Sequence, residues 1–162
     1  MMIRKSAELS PCGRYRWWLH RSGLGGHGVV CFLMLNPSTA DAEQDDPTIR
    51  RCIGFARAWG YDVLSVRNLF PLRATEPRVL RTTEIDPTGG ARGLVEALVG
   101  ATAHRLVLAW GAHVPFGRDR LILSHLHGVP LWCLGITRRG NPRHPLYVAR
   151  AQPCIPYSPQ EV

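Results

Sequence analysis

The stretch VVCFLMLNPSTADAEQDDPT, residues 29–48, carries the pattern from which the fold is predicted. It starts with an uninterrupted apolar run, which is typical of a strand buried on both faces of a sheet. The chain then turns at Asn36 and Pro37. After an acidic run, Asp46 and Pro47 have the arrangement of a helix start, with a carboxylate at the N-cap and proline at the first helical position. A buried strand, a polar turn and a helix in this order indicate an α/β unit.

The rest of the chain repeats this alternation of apolar strands and amphipathic helices. Such alternation predicts a parallel sheet covered by helices on both faces. We therefore expect a single α/β domain over residues 1–162, a three-layer sandwich with a central, mostly parallel sheet. The proline-rich segment 69–90 is predicted to be irregular, which in a compact domain usually indicates a functional loop. The predicted strands are residues 14–19, 29–35, 62–68, 105–110 and 130–134, and the predicted helices are 47–59, 91–101 and 116–127.

The charge of the chain favours a polyanionic partner. The formal net charge is +8, and nearly all the basic residues are arginine. In the segment 116–150, six arginines are accompanied by a single acid, Asp119. This segment is interpreted either as a phosphate-binding face or as a solvated surface.

Composition also excludes several classes of protein. The apolar runs are too short to span a bilayer, and the N-terminal residues contain no apolar segment of the kind found in signal peptides. Five cysteines occur without a Cys-x-x-Cys pair, which argues against a zinc knuckle or a disulfide framework and favours reduced thiols. We therefore expect a cytoplasmic monomer that binds no membrane.

Polar and aromatic residues follow the predicted strands at the edge where parallel sheets bind ligands. Asn36 follows one strand, Asn68 ends another, and His144 lies in a late segment between prolines. Two amides and an imidazole can recognise the edge of a planar heterocycle and stabilise negative charge on a leaving base. Aromatic side chains at neighbouring strand ends can supply a stacking face. The predicted substrate-binding residues are Pro37, Ser38, Asn68, Phe70 and Trp110.

The acidic run Asp41, Glu43, Asp45 and Asp46 has two interpretations. Its carboxylates can hold a divalent cation, although their spacing is not that of an EF-hand. Alternatively, Asp46 caps the helix and the other acids form a solvated turn near a helix N-terminus, where negative charge is favourable. We predict no bound metal and no cofactor, and we keep a metal-dependent nucleotide hydrolase or transferase as an alternative function.

Five segments along nearly the whole chain carry a resemblance to known proteins: MLNPSTAD (34–41), DDPTIRRCIGFARAWGYD (45–62), VRNLFPLRATEP (66–77), LAWG (108–111) and CLGITRRGNPRHPLYV (133–148). They resemble a bacterial and phage family of unknown function, the domain-of-unknown-function family 1643. The order of the motifs is also remotely similar to that of the uracil-DNA glycosylase superfamily. There, an Asn-Pro motif follows the first core strand, an Asn ends a middle strand, and a His-Pro-Ser motif comes late. Leu146 departs from that last motif, which has Ser.

The remote resemblance implies a uracil-DNA glycosylase-like fold and a mechanism in which the target base is rotated out of the DNA helix. Asn36 then positions a water and His144 stabilises the departing base. Asn68 selects the base, and an aromatic residue such as Phe70 stacks on it. The implied phosphate-binding residues are Arg138, Arg139 and Arg143.

We assign the acidic run a part in the same chemistry. Asp41 and Asp45 are expected to align the water or to stabilise an oxocarbenium-like sugar. The predicted function is a base-excising N-glycosylase that acts on a modified or deaminated base in DNA, in repair or modification. The alternatives are the metal-dependent enzyme above and a non-catalytic module that binds nucleic acid or a nucleotide.

Overall fold

The computed structural model describes residues 2–159 of the chain. Within these residues, the strands form one mixed sheet with the order β1-β2-β4-β3-β5-β6-β7. The central strands β4, β3, β5 and β6 run parallel to one another, whereas β1, β2 and β7 pair antiparallel at the two edges. The strands are β1 Arg4–Leu9, β2 Arg16–Ser22, β3 Val29–Met34, β4 Val63–Asn68, β5 Arg105–Leu108, β6 Leu131–Cys133 and β7 Ile155–Pro156.

Helices cover both faces of this sheet. Of the 3-10 turns, one lies between α3 and β5, one directly precedes α4, and one lies between β6 and β7. The helices and the sheet together confirm the α/β class, and they are compatible with the predicted three-layer sandwich. The α-helices are α1 Pro47–Ala58, α2 Val79–Thr82, α3 Gly90–Leu98 and α4 Arg118–Ser124, and the 3-10 turns are Val99–Thr102, Pro115–Gly117 and Pro145–Tyr147.

The apolar run of β3 is explained by burial on both faces. Val30, Phe32 and Met34 pack in a cluster with the apolar side of α1. Cys31 and Leu33 alternate with them and join the opposite cluster, which includes residues of α3 and α4. Because neither face of β3 meets water, its side chains show no polar alternation.

Several boundaries differ from the prediction for identifiable reasons. The strand β1 was not predicted because its residues are polar and mostly exposed at a sheet edge. The predicted helix 116–127 is shortened at its start, since Phe116 has a φ of 60° and interrupts the helical backbone. The segment 69–90 is largely irregular as predicted, with the short helix α2 inside it. Among residues 2–159, no helix is both long and apolar enough to cross a membrane.

Candidate functional site

A cavity of about 570 Å³ opens at the carboxyl ends of β3 and β5. Its volume lies in the range that is typical of small-molecule pockets. The walls come from the turn after β3, the first turn of α1, the loop before α2, the turn after β5 and the last 3-10 turn. We call it the strand-end cavity. Its polar lining residues are Arg16, Asn36, Ser38, Thr39, Asp46, Thr48, Thr75, Trp110, His113, His144 and Tyr147.

Asn36 has a side-chain amide whose orientation is fixed by the backbone. Its Nδ2 donates hydrogen bonds to the carbonyl oxygens of Ala74, at 2.9 Å, and Pro37, at 3.0 Å. Both amide hydrogens therefore have acceptors, and the carbonyl Oδ1 points the other way. Within residues 2–159, no protein donor bonds to Oδ1. This oxygen is available to accept a hydrogen bond from a water or a ligand.

His144 lies at the N-cap of the turn Pro145–Tyr147. Its Nδ1 accepts a hydrogen bond from the backbone N–H of Leu146 at 3.2 Å. In the neutral imidazole, the hydrogen is consequently on Nε2, which becomes a donor. Burial lowers the pKa of His144 below its ordinary value of 6.5, with the charge of Asp46 acting in the opposite direction. His144 is therefore a neutral N–H donor at pH 7.

Asp46 is the N-cap of α1, as the sequence predicts. Its Oδ1 accepts a hydrogen bond from the backbone N–H of Ile49 at 2.8 Å, and its Oδ2 accepts a longer one, of 3.4 Å, from Ala40. The residue is only 8% exposed. Of the residues that the structure describes, it is the one acid in the lining of the strand-end cavity. Asp46 therefore combines a structural cap with a carboxylate at the cavity wall.

Arg16 supplies a buried positive charge to the same cavity, although the sequence did not point to it. It is 2% exposed, and its guanidinium donates to the carbonyl oxygen of Ala40 at 3.0 Å and to Oδ1 of Asn68 at 3.3 Å. Its Nε has no partner among the described residues. Burial lowers the pKa of Arg16 to about 10, so it keeps its charge at neutral pH. Its place next to the apolar run Trp17–Leu19, at the start of β2, was the available signal.

Asn68 and Phe70 lie outside the cavity lining. After β4 the chain continues along β3, with backbone hydrogen bonds from Leu69 to Met34 and from Phe70 to Leu35. This path buries Phe70 completely and leaves Asn68 6% exposed. Asn68 accepts a hydrogen bond from the Arg16 guanidinium. Phe70 has no exposed face on which a base can stack.

Trp110, Pro37 and Ser38, which are predicted to bind the substrate, line the cavity. Trp110 is 2% exposed, and its Nε1 has no hydrogen-bond partner within residues 2–159. The more accessible aromatic group is Tyr147, which is 78% exposed and lies 5.6 Å from the His144 ring, measured between centroids. Tyr147 was not selected from the sequence, because a lone aromatic residue in a loop carries no pattern.

Asp41 and Asp45 lie outside the cavity and have other partners. Asp45 forms ion pairs with Nε of Arg21, at 2.7 Å, and with Nζ of Lys5, at 3.0 Å. Oδ1 of Asp41 accepts the backbone N–H groups of residues 43 and 44, each at 2.8 Å, which closes a local turn. Those backbone N–H groups lower the pKa of Asp41. Within residues 2–159, no group of three or more His, Cys, Asp or Glu residues is arranged to hold a metal.

The three candidate phosphate ligands of the late loop also lie apart from the cavity lining. Arg138, Arg139 and Arg143 are exposed. Nε of Arg143 donates to the backbone carbonyl of Ile136 at 3.1 Å, which supports the loop itself. These arginines can meet a polyanion only through the outer surface.

Comparison with known proteins identifies the family. No curated protein matches the chain, and no solved structure matches it. One family model, described as "Protein of unknown function (DUF1643)", matches residues 16–146. The match begins at Arg16 and ends at Leu146, so it includes Asn36, Asp46 and His144. Because the match covers most of its length, the chain belongs to this family of unknown function, as the resemblance of its motifs predicts.

Proposed function

We propose that the protein is a uracil-DNA glycosylase-like hydrolase that removes a modified or deaminated base from DNA. The observation that carries the proposal is the meeting of Asn36, Asp46 and His144 in one cavity. The three residues come from the turn after β3, the start of α1 and the last 3-10 turn. They supply an acceptor for water, a carboxylate and a neutral N–H donor, which are the groups that hydrolysis of an N-glycosidic bond requires.

In this reaction, a water attacks C1′ of the sugar while the bond from C1′ to the base nitrogen breaks. The electron pair of that bond leaves with the base. Oδ1 of Asn36 orients the water, since the Nδ2 group is held by backbone carbonyls. Asp46 accepts the proton of the water and stabilises the positive charge that develops on the sugar. Asp46 thus takes the role that was expected of Asp41 and Asp45.

Two groups stabilise the departing base as an anion. The Nε2–H of His144 donates a hydrogen bond to it, in the tautomer set by the Leu146 N–H. The buried guanidinium of Arg16 adds a positive potential in a site of low dielectric, where such charges act strongly. Asn68 acts indirectly in this scheme, by orienting Arg16. Tyr147 replaces Phe70 as the aromatic face, because it is exposed at the rim.

The test is base release from oligonucleotides that carry uracil, hypoxanthine or 5-hydroxymethyluracil, followed by alkali treatment. We expect alkali-labile breaks at one of these bases, and their loss in Asn36→Ala and His144→Ala. Asp41→Asn is the matched control, because Asp41 lies outside the cavity. Breaks that persist in both cavity variants would overturn the assignment of these residues.

A second candidate function is a binding module that holds a nucleic-acid base without cleaving it. The observation in its favour is that both carboxylate oxygens of Asp46, the acid in the cavity lining, already accept backbone N–H groups, which makes the carboxylate a weaker base. Retention of the oligonucleotide on a gel, with no breaks at any base, would favour this candidate.

A further inference from the structure

A second concave surface lies beside the strand-end cavity, on the outer side of α1. It has a volume of about 570 Å³. Pro47 and Leu146 line both this groove and the strand-end cavity, so the two are adjacent. We call it the arginine groove. Its lining residues are Pro47, Arg50, Arg51, Gly54, Phe55, Leu146 and Arg150.

The charge of the arginine groove is positive and uncompensated. Among the described residues, no acid lines it, and Arg50, Arg51 and Arg150 form no salt bridge. Arg50 donates only to the backbone carbonyl of Asp45, at 3.2 Å. The Asp45 carboxylate is already bonded to a lysine and another arginine. The groove therefore presents three cations to any ligand that enters it.

One of these cations has an unsatisfied donor. Nη1 of Arg51 is buried and has no hydrogen-bond partner within residues 2–159. A buried guanidinium N–H normally finds an acceptor, because leaving it unpaired costs free energy. An anionic oxygen in the groove would supply that acceptor once the half-buried Arg51 side chain turns toward it.

The floor of the groove contains a glycine that packing does not explain. Gly54 lies inside α1, where glycine is less favourable than alanine. A Cβ added at Gly54 would meet no heavy atom within 4 Å, so no neighbouring side chain excludes a larger residue. The absence of a side chain leaves the helix backbone accessible between the arginines, which suits the close approach of a ligand backbone.

We propose that the arginine groove binds the phosphates of a nucleic-acid strand whose adjoining nucleotide occupies the strand-end cavity. This inference rests on the proposed function, and it names the partner as a strand and not a free nucleotide. It also assigns the phosphate contacts to Arg50, Arg51 and Arg150, on the wall of the cavity, in place of Arg138, Arg139 and Arg143. Guanidinium groups suit this role because they bind phosphate oxygens bidentately.

The test measures the salt dependence of binding by fluorescence anisotropy, with labelled single-stranded and duplex oligonucleotides in separate arms. Arg50→Gln/Arg51→Gln/Arg150→Gln is compared with the control Arg138→Gln/Arg139→Gln. On a single strand, three lost phosphate contacts lower the slope of log K against log salt by about 2, at about 0.7 per contact. The control is expected to change the slope by less than about 0.7, the value of one phosphate contact. Equal slopes for the wild type and the groove variant in both arms would overturn the proposal.

A second pair of variants tests the groove while all three arginines, including the half-buried Arg51, stay in place. Gly54→Glu and Gly54→Gln are matched in size and differ only in charge, and a Cβ at this exposed position meets no heavy atom within 4 Å. We expect Gly54→Glu to weaken strand binding at least 5-fold more than Gly54→Gln. Equal affinities of the two variants would count against the groove.

The outcome is separable from that of the proposed function, because binding is measured without base release. If no base is released but the groove variants lose strand affinity, the groove stands and the glycosylase proposal fails. If base release is found and the groove variants bind the strand as the wild type does, the groove proposal fails alone.

Discussion

Asp45 and Asp46 are neighbours in the chain, but they belong to two different regions. Asp45 is in the acidic loop, residues 41–45, and its carboxylate neutralises the fully buried Arg21. Asp46 is at the wall of the strand-end cavity and caps α1. The same charge therefore stabilises the fold at one position and is available for chemistry at the next. The comparison shows that neighbouring carboxylates of one acidic run have different partners, which under the proposed function gives them different roles.

Replacement of Asp46 by Asn is expected to have the largest effect on activity. Asn is about as good an N-cap as Asp, so α1 is retained while the carboxylate is lost. A general base contributes about 10²–10⁴-fold to a rate. Single-turnover base release should fall by about that factor, with little change in the urea midpoint of unfolding. An unchanged rate would remove Asp46 from the chemistry and weaken the contrast with Asp45.

Replacement of Asp45 by Ala should act on stability instead. It leaves the guanidinium of Arg21, which is 0% exposed, without its carboxylate, although several backbone carbonyls still accept from it. We expect the free energy of unfolding in urea to fall by about 2–3 kcal/mol. The rate of base release of the remaining folded protein should not change. Lys5→Ala is the control, since it removes a more exposed ion pair and should cost less than about 1 kcal/mol.

The protonation of His144 provides a pH-dependent test of the proposed site. Because its pKa in the folded protein is lowered below 6.5, the unfolded chain takes up a proton first as the pH falls. The stability linked to His144 is complete above pH 6.5 and decreases as the pH drops from 6.5 toward the lowered pKa. The NMR titration midpoint of His144 should therefore lie below 6.5. A midpoint at or above 6.5 would contradict the lowering of the pKa by burial, and one above 7 would mean that His144 is mostly charged at neutral pH, contrary to its role as a neutral donor.

Replacement of Asp41 by Asn should have the smallest effect. The side-chain oxygen of Asn can still accept the two backbone N–H groups that close the turn. We expect a change in the free energy of unfolding below about 0.5 kcal/mol and an unaltered rate of base release. A large loss of activity in this variant would show that the acidic loop takes part in the reaction after all.

The parts of the fold that followed from the sequence are those with a local cause. The continuous apolar run of β3 and the Asp-Pro start of α1 each have a single physical explanation, and both are found in the structure. Because parallel strands bring their carboxyl ends to one edge, Asn36, Ser38 and Trp110 also meet in the cavity as expected.

The parts that did not follow depend on long-range partners. Arg16 enters the cavity because a strand from the start of the chain pairs antiparallel with β4, and no local pattern encodes that pairing. Phe70 is buried because the chain continues along β3 after β4 ends. In the same way, the carboxylate of Asp45 forms its ion pair with Arg21 of β2, which is distant in sequence.

The most direct test of the proposed chemistry is the release of a free base, measured by mass spectrometry in a single turnover. The wild type, Asp46→Asn and Asp45→Asn are compared on one oligonucleotide that carries the base cleaved in the alkali assay. The proposal predicts that the wild type and Asp45→Asn release the base at similar rates, whereas Asp46→Asn is slower by about 10²-fold or more. Equal release by all three proteins, or no free base from the wild type on any of the modified oligonucleotides, would contradict it.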